Sequence, residues 1–107
     1  MKTLITATLM TAALSFNLAA QESNADSIGQ ICGSYAELAG NVMRARQNNT
    51  PIITVYKIAD GNKIAIAIIK DAYAQPLFST DDYKNNIIVS FSNDVFLNCI
   101  NTFGDEV

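Results

Sequence analysis

The chain of 107 residues contains two cysteines, Cys32 and Cys99, and they lie far apart. Whether they are joined constrains the fold more than any other feature. A bond between them closes a loop around almost a whole small domain; two free thiols leave a small core to hold itself together. The compartment decides which to expect. Residues 1–20, MKTLITATLMTAALSFNLAA, have a short basic start at Lys2, an apolar run from Leu4 to Leu18, and small residues at Ala19 and Ala20. This is the layout of a secretory signal peptide, with cleavage expected after Ala20. The run is shorter than the ~20 apolar residues of a spanning helix, and no cysteine follows the cleavage position to accept a lipid. The reading is a signal peptide over 1–20, one domain over 21–107, and a periplasmic or secreted product not inserted in the membrane. In an oxidising compartment two cysteines default to a disulfide.

A domain this small has a folding balance near zero when buried area is set against chain entropy. Closing a loop between positions 32 and 99 adds roughly 4 kcal/mol on the chain-entropy account.

The hydrophobic pattern predicts helices. Asp26 is placed to cap a first helix over about 26–46. Ile28, Ile31, Cys32, Tyr35, Leu38, Ala39, Val42 and Met43 recur at steps of three and four along it, opposite Gln30, Glu37, Asn41 and Arg44. Arg44 and Arg46 fall in its last turn, where the helix dipole favours cations. Thr50-Pro51 reads as a cap followed by a first-turn proline, opening a short helix with Ile52, Val55, Tyr56 and Ala59. Asp60-Gly61-Asn62 ends that helix, with Gly61 suited to a left-handed position. The next segment, KIAIAIIKDAYA, is ambiguous, because Ile64, Ile66 and Ile68 alternate with alanine. A hairpin about Asp60-Gly61 fits that alternation as well as a helix pair does. The surrounding long helical patterns, and the marginal stability of a lone hairpin, favour two helices. Ser79 or Thr80 opens a last helix over about 80–101, with Asp81 and Asp82 in its first turn. Tyr83, Ile87, Ile88, Phe91, Val95 and Cys99 follow on one face, and the tail from Asn101 is expected to be loose.

These helices answer the opening question. Each long helix spans about 30 Å. Cys32 lies near the start of the first stripe and Cys99 near the end of the last. Antiparallel packing brings both thiols to the same end of the bundle, as a disulfide requires. The expected fold is all-α: a disulfide-stapled bundle of about four helices, its first and last long helices antiparallel.

Composition removes most chemistry. The chain has no histidine, which takes away Ser-His and Cys-His pairs, the usual general base and most zinc sites. Ser34 is outside any nucleophile-elbow motif. Asp81 and Asp82 are dipole-favoured surface charges, and Asp60-Gly61-Asn62 is too short for a calcium loop. No catalytic residue, metal site or cofactor is expected. Without Lys2 the domain has six basic and ten acidic residues, a balance that disfavours nucleic acid and anionic membrane surfaces.

Two features remain as a possible interaction site. Gly29, Gly33 and Gly40 fall on one side of the first helix, at about 1 kcal/mol each relative to alanine. They imply a close neighbour, either another helix of the chain or a partner. Val89, Phe96 and Ile100 lie roughly opposite Ile87, Phe91 and Val95 on the last helix. Either that helix is central and covered on two sides, or the three form an interaction patch.

Cys32, Ala36, Ala39, Met43, Arg46 and Gln47, followed by Lys70 through Pro76, Thr80 and Cys99, form a recurring pattern (C-x3-A-x2-A-x3-M-x2-RQ, then DAY-x2-P and a final C). It resembles small exported bacterial proteins of phage and prophage regions. The resemblance covers nearly all of the domain and implies helices over 51–74 and a Cys32–Cys99 bond, but no activity. A looser similarity, in size, export, cysteine number and helical content, is to periplasmic acid-stress chaperones of the HdeA type. The expected function is therefore a non-enzymatic binding or interference protein, acting on an envelope partner or by self-association. The alternative is a chaperone activated when its carboxylates are protonated.

Overall fold

The structure is a computed structural model in which residues 27–104 are described. The expected signal peptide over 1–20 and the expected cap at Asp26 lie outside the described residues. Four helices make up the fold: α1 (27–47), α2 (Ile52–Ala59), α3 (Lys63–Ala74) and α4 (Asp81–Phe103). The all-α expectation and the helix pair over 51–74 are both met. The long helices are antiparallel, and their cross-contacts give the register. Cys32 bonds to Cys99 with a Cα–Cα distance of 5.5 Å. Ser92 Oγ donates to the Ala36 carbonyl at 2.8 Å, and Lys84 Nζ donates to the Gln47 carbonyl at 2.6 Å. As α1 advances, its contacts move back along α4.

The core joins all four helices. Ala39, Val42 and Met43 of α1 meet Val55 and Ala59 of α2, Ala65, Ile68, Ile69 and Ala72 of α3, and Phe91 of α4. Four of these ten residues are alanine, so the backbones approach closely and little side-chain volume separates them. The alternation that made α3 look like a strand conceals its true stripe. Residues 65, 68, 69 and 72, at helical spacing, are the buried ones, while Ile64 stays 41% exposed. Asn62 drives the segment into a helix: its Oδ1 accepts from the Ile64 and Ala65 amides, both at 3.0 Å. The α2–α3 corner is made by two successive left-handed residues, Asp60 (φ 48°) and Gly61 (φ 78°). The sequence identifies only the glycine.

Several local expectations need correction. Thr50 does not cap α2. The helix starts after Pro51, no side chain caps it, and the Thr50 carbonyl instead accepts from the Tyr73 hydroxyl at 2.7 Å. Thr80 does cap α4, accepting from the Tyr83 amide at 3.4 Å. Ile31 and Tyr83, both assigned to apolar stripes, are 54% and 62% exposed. Asn101–Phe103 continue α4 rather than forming a loose tail. Nor is α4 a central helix covered on two sides. Only Phe91 and Cys99 on it are buried, because it is laid against the bundle along one face.

Candidate functional site

A buried polar cluster ties the end of α1 to the segment that links α3 and α4. Gln47 is 2% exposed. Its Nε2 donates to the Pro76 carbonyl at 3.0 Å, and its Oε1 accepts from the Phe78 amide at 2.9 Å. Beside it, Arg46 Nε donates to the Gln75 carbonyl at 3.0 Å. The Arg46 guanidinium also sits 5.6 Å from the centroid of the Tyr73 ring. Burial pushes the Tyr73 phenol above its ordinary pKa, and the Arg46 charge opposes that shift. Among the described residues no buried side-chain nitrogen or oxygen lacks a partner. These hydrogen bonds hold the 75–78 link against the end of α1. The cluster thus brings Arg46 and Gln47 of α1 against Tyr73, Gln75 and Pro76.

The uncommitted surface is apolar and belongs to α2. This eight-residue helix, IITVYKIA, buries only Val55 and Ala59. Ile52, Ile53, Tyr56 and Ile58 are 46%, 62%, 52% and 72% exposed. One side of the helix faces the core, Thr54 and Lys57 are exposed on the side opposite it, and the large apolar residues lie between. Ile53 and Tyr56, three positions apart, are neighbours on the exposed side, and Ile52, one turn before Tyr56, lies at its border with the buried residues. On the inward side an open cavity of about 430 Å³ lies between α1 and the α2–α3 corner. Buried Val42, Val55, Ala59, Ala65 and Ile69 form its floor, and exposed Asn41, Ile58 and Asn62 stand at its mouth.

The residues singled out from sequence are distributed as follows. Cys32 and Cys99 are joined and no cysteine is free among the described residues. Val89 is 60% exposed, while Phe96 and Ile100 are half-buried, so the three do not stand out of the surface together. Gly40 is approached by α4: a Cβ there would lie 3.7 Å from that of Ser92. At Gly29 and Gly33 a Cβ would meet open space. Gly40 and Val89 share a shallow depression with Ser92, and Gly29 and Gly33 are not part of it. The exposed face of α2 went unremarked in the sequence. The signal was present in IITVYKIA, which has more large apolar residues than one face of eight residues can bury.

Among the described residues no group of three or more His, Cys, Asp or Glu side chains is placed to hold a metal ion. No described helix is long and apolar enough to cross a membrane. No protein-family model, curated protein or solved structure matches the chain.

Proposed function

We propose that this chain is an exported, non-enzymatic binding protein that covers an envelope protein, as an interference protein of prophage type would, and that it docks through the outward face of α2. The observation that supports this reading is the exposure of Ile52, Ile53 and Tyr56 close together on one short helix. Burying a side chain of that size is worth roughly 1.5–3 kcal/mol. Folding leaves about half of that energy unused on this face, and an apolar partner surface recovers it. The helix needs none of the three for its own core, which takes Val55 and Ala59.

The test is the double variant Ile53→Lys, Tyr56→Lys in the exported protein. Crosslinking in intact cells, read by mass spectrometry, is expected to join wild-type α2 to one envelope protein. The double variant is expected to lose that adduct while its melting temperature stays within a few degrees of wild type. Adducts that persist in the variant, or that map to other helices, refute the reading. An adduct between two copies of this chain refutes the envelope partner and makes the face a dimer contact.

A further inference from the structure

We propose that the cavity between α1 and the α2–α3 corner binds an uncharged, medium-length acyl chain headed by a carbonyl acceptor, such as an acyl ester. The cavity lies on the inward side of α2, and its ligand is independent of the outward docking face. Its volume of about 430 Å³ falls within the roughly 300–1,000 Å³ of small-molecule sites. At the ~30 Å³ that a water-sized group occupies in a liquid, it takes a chain of about ten to fourteen carbons.

The chemistry is set by the walls. The floor is aliphatic, and every residue lining the cavity is uncharged, so an ionic head gains no counter-charge there. Besides the Tyr35 phenol on the α1 wall, the polar side chains of the lining are the amides of Asn41 and Asn62 at the mouth. Their oxygens are already engaged. Asn62 Oδ1 accepts from the Ile64 and Ala65 amides, and Asn41 Oδ1 accepts from Arg44 at 3.0 Å. What the two side chains have left is their NH2 groups, which are donors. A site with an aliphatic floor and a donor rim selects an apolar chain ending in a neutral acceptor. A free alkane leaves the donors without a partner, and a carboxylate brings a charge into an acidic chain whose cavity holds no cation.

The probe is N-phenyl-1-naphthylamine, a neutral apolar fluorophore, titrated into the exported protein. Fluorescence should rise saturably with one site. Methyl decanoate should displace the probe, and decanoate ion should do so at least about tenfold less well. Asn62→Asp keeps the capping oxygen and replaces the donor by an acceptor. It should hold the melting temperature and weaken methyl decanoate by about tenfold, a change that a purely structural role for Asn62 would not produce. Ala45→Phe, from the half-buried wall of α1, should fill the cavity and abolish probe binding. If Ala45→Phe fails to fold, Ile58→Ser replaces it, since Ile58 is 72% exposed at the mouth and its truncation should weaken the ester without lowering stability. Failure of the probe to saturate, equal displacement by ester and carboxylate, or wild-type affinity in Asn62→Asp overturns the proposal. The first of these outcomes leaves the cavity to an apolar side chain of a partner.

Discussion

Gln47 is the side chain on which one end of the bundle depends. Its side-chain amide serves the Pro76 carbonyl, the Phe78 amide and the Met43 sulfur at once. Gln47→Ala leaves the Phe78 amide and the Pro76 carbonyl without their partner, and each such loss costs about 1–3 kcal/mol. We expect urea denaturation to show a loss of about 3 kcal/mol, with an unchanged slope. Tyr73 gives a second check, through pH. Its phenol is raised in the folded state, so folding favours the neutral form. That contribution is complete below the unfolded value of about 10 and is lost as pH rises through the folded value. Wild type should therefore lose stability above about pH 10 faster than Tyr73→Phe. At neutral pH the variant should be about 1 kcal/mol weaker for want of the bond to Thr50. The sequence shows why these residues were legible only as a pattern. Their partners are the main-chain groups of Thr50, Gln75, Pro76 and Phe78, and a main-chain group leaves no mark of residue type to pair with.

At the scale of elements, legibility followed the contrast between faces. In α1 the exposed Gln30, Glu37, Asn41 and Arg44 oppose a buried stripe, and the helix is readable from end to end. In α3 every position from 64 to 69 is Ile or Ala. Apolarity there cannot separate a period of two from one of 3.6, and the deciding residue is Asn62, a cap that lies outside the stripe. In α4 the stripe of Ile87, Ile88, Phe91, Val95 and Cys99 turns inward as read, but Val89, Phe96, Leu97 and Ile100 make the other side apolar too, so the pattern left open whether the helix is covered on one side or two. Which of the two holds is set by where α1 lies, and that is tertiary information. Asn62 is thus the local switch for the α2–α3 corner. Asn62→Ala should cost about 1 kcal/mol and Asn62→Asp close to nothing, as read by thermal unfolding. A larger loss in the alanine variant would mean that the corner carries more of the fold than its two hydrogen bonds.

The whole molecule is held at both ends of one helix pair. The disulfide joins the start of α1 to the end of α4, and the Gln47 side chain joins the end of α1 to the link that leads into α4, through Pro76 and Phe78. Between these clamps an alanine-rich middle receives α2 and α3. The cysteine pairing is legible from helix length and from the export that residues 1–20 lead one to expect, because thiols at matched helix ends need only an antiparallel arrangement to meet. The second clamp does not follow, since it depends on how the 75–80 link folds back. Fifteen helical residues separate Cys32 from Gln47, roughly 22 Å at 1.5 Å per residue, so the clamps share no contact and their removal should be additive within about half a kcal/mol. Thiol titration of the unfolded, unreduced protein should find no free cysteine. Replacing both cysteines by alanine releases a loop of 67 residues and should cost about 4 kcal/mol. Gln47→Ala adds about 3. A domain this size has roughly 4–13 kcal/mol in total, so each change alone should leave a folded protein and the two together should bring it to the edge of unfolding at 25 °C. Circular dichroism and urea titration of the three variants decide the point. A combined loss well below the sum would show that α1 and α4 stay paired through the core when both clamps are gone, and that the alanine-rich middle is the principal source of stability.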